Sequence, residues 1–204
     1  MYKIYINENL IVLTTPDGAK EFKSSKSVLV TRYISKKRFL FQFIDALENT
    51  GVSKTIILYY KDLELLRGDF FGLYKNLGAG GGAVFNDQNE ILMIQRRGYW
   101  DLAKGHIEKG ETQAETAVRE VIEETGIQNI ELQEFITTTY HTFKKKKGKR
   151  CLKISHWFKM KSNDTDFTPQ TEEGVEKVVW MSLDDAFKLK PIYKNIVNVL
   201  DLVK

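Results

Sequence analysis

The stretch GHIEKGETQAETAVREVIEETGI, residues 105–127, restricts what this chain can fold into more than any other part of it. Thr112 and Glu115 stand in the T-x-x-E spacing of a capping box, which predicts a helix starting there. Gly126 occupies the position where a left-handed residue ends a helix, so the helix stops near Thr125. Ala114, Val118, Val121 and Ile122 form an apolar stripe that can pack on a sheet. Glu120, Glu123 and Glu124 stand at i, i+3 and i+4 and share one helical face. Like charges so spaced cost an isolated helix about 0.2–0.5 kcal/mol per pair. The negative end of the helix dipole adds to that cost. The pattern therefore calls for positive charge from elsewhere. Ahead of the helix, Gly105 and Gly110 bracket a loop whose backbone can approach a ligand closely.

The 204 residues are 42% hydrophobic and 28% charged, which fits an ordinary soluble globular protein. The longest apolar stretches, such as TIILYY at 55–60, are too short for a bilayer, so no membrane association is expected. The N-terminus alternates apolar and polar residues and does not read as a signal peptide. A lone cysteine, Cys151, excludes an internal disulfide framework and suits a reducing, cytoplasmic setting. The net charge of +4 lies within residues 1–75, and the remainder balances. That remainder is segregated, with Glu concentrated at 108–124 and KKKKGKR at 144–150. An acidic pocket with a nearby basic arm suggests metal-dependent handling of phosphates.

Two domains are expected, a small α+β domain at 1–76 and a larger one at 77–204. The first reads as strands at 2–6 and 10–14, a turn at TPDG, strands at 28–33 and 54–60, and helices around 39–47 and 63–77. It offers no catalytic constellation, and its role stays open. LGAGGGAVF, at the boundary, imitates a dinucleotide loop but leads into strands rather than a helix, so a flexible linker and a closely packed strand are expected. Two strands meet at an Asn-Asp turn, the central helix follows, and IELQEFITTTYHTF and RCLKISHWFKMK form long strands joined by the lysine run. VEKVVWMS is a further strand, Ser182 and Asp185 cap a short helix, and Pro191 opens a last one. A helix on a mixed or antiparallel sheet is the architecture this order describes.

Gly105, Glu111, Arg119-Glu120-Val121, Glu123-Glu124 and Gly126-Ile127 together resemble the Nudix box, G-x5-E-x7-R-E-U-x-E-E-x-G-U with U apolar, at every fixed position. The resemblance implies an α+β fold, an α/β/α sandwich with a mixed sheet from about residue 79 onward, and hydrolysis of a diphosphate linkage. It implies Mg²⁺ or Mn²⁺ held by Glu120, Glu123, Glu124 and the backbone carbonyl of Lys104, since hard cations prefer such oxygens. Glu123 is the favoured base. Arg119 would orient the carboxylates through Glu111 or Glu123, while Gly105, Glu111 and Gly126 serve the box structurally. Glu173, in QTEEGVEKVVWM, precedes a late strand where Nudix enzymes often place another ligand or base; a surface turn is the competing reading.

Upstream, Trp100-x-x-x-Lys104-Gly105-His106 is similar to the loop of the diadenosine tetraphosphate hydrolase and diphosphoinositol polyphosphate phosphohydrolase branch, with Ala103 in place of the usual proline. Lys104 and His106 would then contact phosphate. Arg96, Arg97 and Lys153 would line the path of a polyphosphate, and Tyr140 would stack on a base, although strand aromatics more often serve a core. A dinucleoside polyphosphate is the favoured substrate. Diphosphoinositol polyphosphates, oxidised nucleoside triphosphates and RNA 5′ ends are its rivals, RNA being disfavoured for want of a stacking platform. A nucleotide-sensing module without catalysis predicts a damaged box, and this box is intact. Residues 1–75 are compatible with a dimerisation module, hence with a homodimer.

Overall fold

The computed structural model describes residues 1–145 and 148–204; Lys146 and Lys147, within the expected lysine hairpin, lie outside the described residues. Contacts gather the chain into two units, Met1–Asn76 with Tyr140–Lys153, and Leu77–Thr139 with Ile154–Lys204. No helix among the described residues is long and apolar enough to cross a membrane.

The first unit contains β1 (Tyr2–Ile6), β2 (Asn9–Thr14), α1 (Pro16–Ala19), β3 (Val28–Arg32), α2 (Lys37–Glu48), β4 (Thr55–Tyr59) and α3 (Leu63–Phe71). It also takes the ends of two long strands, β9 (Glu131–Lys144) and β10 (Arg150–Lys161). The strand order is β9-β1-β2-β4-β3. β1 and β2 form an antiparallel hairpin, while β2, β4 and β3 run parallel. β1 also pairs in parallel with β9, Ile4 opposite Tyr140. The i, i+4, i+7 spacing of Leu40, Ile44 and Leu47 buries one face of α2. The expected TPDG turn is instead a single helical turn, because the Thr15 hydroxyl accepts from Gly18 N at 3.2 Å and Pro16 suits its first position. Both ends of the lysine hairpin are tied to α2. Lys144 Nζ lies 2.8 Å from Glu48, and Arg150 bonds Glu48 and Asp45. Burial pushes the Glu48 carboxyl up, but the Arg150 and Lys144 bonds outweigh it and hold the group below its usual value.

The second unit contains β5 (Lys75–Phe85, from Leu77 on), β6 (Ile91–Arg96), β7 (Tyr99–Asp101), β8 (Lys104–His106), α4 (Gln113–Thr125), most of β9 and β10, a 3-10 turn at Thr171–Glu173, β11 (Val175–Met181), α5 (Leu183–Lys188) and α6 (Lys194–Leu202). Its strand order is β11-β6-β5-β10-β9, with β7 beside β6 and β8 beside β5. Strand alternation builds the layers. Ala83, Phe85, Ile91 and Met93 face α5 and α6, where Ala186, Ile196, Val199 and Leu200 are buried. Val84, Leu92 and Ile94 face the other way, onto Ala117 and Val121 of α4. That is a helix–sheet–helix sandwich.

Three further sequence expectations change. The glycine run is no linker but continuous strand. A Cβ on Gly80 would lie 2.4 Å from Gln113 O, on Gly81 2.7 Å from the Trp157 ring, and on Gly82 2.7 Å from Val121. The glycines let α4 and Trp157 approach the sheet. The last helix begins at Lys194, not Pro191, and Ile192 packs on the core from the preceding turn. The helix expected to run from residue 63 ends at Gly72, after which Lys75 starts β5.

Candidate active site

α4 starts and stops where its sequence dictates. Thr112 Oγ1 accepts from Glu115 N at 3.2 Å, and the Glu115 carboxylate accepts from Thr112 N at 2.8 Å, a closed capping box. Gly126 ends it with φ 84°, its N–H donating to Ile122 O at 2.8 Å. At Gly126 a Cβ would fall 2.5 Å from Thr168 N, so the position needs glycine for both conformation and space.

The buried face is not the one the apolar stripe suggests. Ala117 and Val121 are buried together with Glu120 and Glu124, whereas Ala114, Val118 and Ile122 are only half-buried. The helix is rolled so that two carboxylates point inward. Gly105 makes this feasible: a Cβ there would come within 1.9 Å of Glu120 Oε2.

Five carboxylates share two guanidiniums. Arg119 bonds Glu111 at 2.6 and 2.9 Å, Glu120 at 2.9 Å and Glu123 at 2.9 Å, and it reaches the His106 carbonyl at 3.0 Å. The sequence offered Glu111 or Glu123 as its partner; the structure has both. Arg96 bonds Glu124 at 2.6 Å and Glu173 at 2.6 Å. Glu124 Oε2 also accepts from Lys104 N at 3.0 Å. Burial raises the Glu120 carboxyl, against the pull of Arg119. Burial likewise pushes Glu124 up to about 7, despite Lys104 and Arg96. Glu111 goes the other way, down to about 2, because Arg119, Thr116 and the Glu108 N–H all bond its charged form.

The remaining expected residues fall in several places. The Lys104 side chain is buried and pairs with Asp101, its ammonium 6.0 Å from the Trp157 ring centroid. Arg97 is exposed, has φ 51°, and donates its N–H to Gly174 O at 3.1 Å. His106 is exposed on β8. Tyr140 and Lys153 cluster with the first unit, where Tyr140 packs edge-on to Tyr2 at 5.8 Å and against Phe71 at 5.6 Å. Sequence reasoning missed Asp101, the buried partner of Lys104. Its signal was a carboxylate three residues before a lysine in a tight loop. Arg96, expected along the path of a polyphosphate, bonds two glutamates.

A NUDIX domain profile matches residues 76–203. The chain belongs to the Nudix family. Among curated relatives, the Nudix chain is 32% identical over 117 residues to an 8-oxo-(d)GTP phosphatase of Mycolicibacterium smegmatis, a match covering 56% of this chain and 34% of that protein. It is 32% identical over 113 residues to a bis(5′-nucleosyl)-tetraphosphatase (asymmetrical) of Rattus norvegicus, covering 52% of this chain and 73% of that one. It thus spans about a third of the mycobacterial relative's length and most of the rat one's. A MutT protein of Methanosarcina mazei Go1 shares the fold, with TM-score 0.53 at 19% identity over 63% of this chain and 92% of that one.

The donor set fits a hard divalent cation. It consists of oxygen ligands, two of them inside the protein, and its five carboxylates outnumber its two guanidiniums. Among the described residues no three of these groups converge as a ready-made cage. Arg96 and Arg119 stand between them.

Proposed function

We propose that this Nudix chain hydrolyses a diphosphate linkage in a nucleoside polyphosphate, with a dinucleoside polyphosphate as the preferred substrate and Mg²⁺ or Mn²⁺ as cofactor. The observation that carries this reading is the excess of carboxylate around Glu120 and Glu124, buried at a site where Gly105 has given up its side chain. Glu120, Glu123, Glu124 and the Lys104 carbonyl would hold the cation, which supplies charge neutralisation of the phosphates and acidification of water.

The protein's own groups divide the remaining work. Arg119 fixes Glu120 and Glu123 relative to the loop at Glu111 and His106. Glu123 is the most solvent-accessible of the three glutamates, its side chain 45% exposed against 10% for Glu120 and none for Glu124. That exposure supports reading Glu123 as the group that would take the proton from the water attacking phosphorus. As the new P–O bond forms, the bridging P–O bond breaks and a phosphate leaves with its electron pair. Arg96 holds Glu124 and Glu173 in register, with Glu173 as an accessory base or ligand. Arg97 and His106, both exposed, would meet a polyphosphate chain.

The rat relative supports a dinucleoside tetraphosphate, since the match spans 73% of its length. A second reading, hydrolysis of oxidised nucleoside triphosphates, draws on the mycobacterial relative's name alone. The deciding experiment assays the full chain with Mg²⁺ or Mn²⁺ on diadenosine tetraphosphate, 8-oxo-dGTP, a diphosphoinositol polyphosphate and 5′-triphosphate RNA. The highest kcat/KM is expected for diadenosine tetraphosphate. Turnover of none, alongside tight nucleotide binding, would replace the enzyme with a sensor.

A further inference from the structure

Rolling α4 to bury Glu120 and Glu124 leaves Ala114, Val118 and Ile122 at the edge of the core, only half covered, with Val118 still touching it. Ala114, Val118 and Ile122 stand four residues apart and are half-buried. Together with Leu132 of β9 they line a groove of about 480 Å³ whose surface is almost wholly apolar. Leu132 remains 42% exposed. Three residues along the strand, Phe135 is 53% exposed and lies edge-on to Phe158 at 5.6 Å. An apolar groove with an exposed leucine on its wall marks an interaction site.

The charge around the groove selects the occupant. Glu115 and Glu123 border it. The bordering cation is Arg119, and its charge is already engaged by Glu111, Glu120 and Glu123. The border is therefore acidic. A second copy offering the same face would set Glu115 and Glu123 against their own counterparts. The stripe from residue 114 to 122 is about 12 Å long at 1.5 Å per residue. That length suits two to three turns of helix laid into the groove.

We propose that this groove is a docking site for a cationic amphipathic helix of a partner protein, with leucine-type side chains on one face and lysine or arginine flanking them. The occupant touches Glu123 and Arg119, so docking also bears on the candidate active site; the apolar wall and Glu115 stand without any assumption about the reaction.

The test uses the full chain and two fluorescent 14-residue model peptides with leucine at helical i, i+3 and i+4 spacing, one lysine-rich and one glutamate-rich. The lysine peptide is expected to bind, more weakly as salt rises. Val118→Asn and Leu132→Ser should each weaken it tenfold or more, and Glu115→Gln, which keeps the capping acceptor, several-fold. A benzophenone on the leucine face should cross-link within residues 114–132, a readout that does not depend on the variants folding. Three results would overturn the proposal: equal binding of the glutamate peptide, cross-links elsewhere, or self-association of the chain that Leu132→Ser abolishes. The last would make a second copy the occupant.

Discussion

Glu124 is the residue on which proton and cation should compete most directly. Its side chain is fully buried and its carboxyl stands near 7, well above an unfolded value of 4.5. A carboxyl raised by folding contributes stability that is complete below about 4.5 and lost as pH rises through about 7. The shift corresponds to at most about 3 kcal/mol. In chelator, Glu124→Gln should therefore melt near wild type at pH 5 and above it at pH 8, which thermal unfolding across that range will show. Mg²⁺ affinity of the wild type, followed by calorimetry, should fall as pH drops below 7. Gly105→Ala makes a second residue-level case. Its methyl would meet Glu120 at 1.9 Å, so the carboxylate must move. The expected result is a loss of activity of at least tenfold, with a thermal midpoint only slightly lowered.

At the scale of elements, α4 shows what a sequence reveals and what it conceals. Its two ends follow from contacts spanning three or four residues, Thr112 with Glu115 and Gly126 with Ile122. Local spacing encodes such contacts, so both ends are legible. Thr112→Ala should lower stability by about 1 kcal/mol, measurable by urea titration. Which face of α4 turns inward was not legible. Periodicity favoured Ala114, Val118, Val121 and Ile122; of these Val121 is buried, while Glu120 and Glu124 take the inward positions beside it. Arg96 and Glu173 were equally hidden as partners, being 77 residues apart in the chain. The boundary glycines misled for a related reason. Their role as contact points lies in another element, as the 2.4 Å approach of a Gly80 Cβ to Gln113 O makes plain. Gly80→Ala should cost about 1–3 kcal/mol as α4 is pushed from β5, a loss that urea titration can measure.

At the scale of the whole molecule, the box identified the kind of chemistry while saying nothing of residues 1–76, which carry no motif. Within the first unit the most telling interaction is at Glu48, whose side chain is 7% exposed and is shared by Lys144 and Arg150. Arg150→Ala leaves that carboxylate short of one partner and should cost about 2–3 kcal/mol; Glu48→Gln in the same background should recover part of it. Both effects can be read by thermal unfolding. The parallel pairing of Ile4 with Tyr140 bears on synthesis. As the chain emerges from a ribosome, the first strands appear long before the strand that completes their sheet. The opening 76 residues must persist with β1 unsatisfied along one edge until residue 142 is made. Each unit here is begun before the other is complete: the first waits for residues 140–153 and the second for residues 154–204, so neither can close as a contiguous stretch of newly made chain.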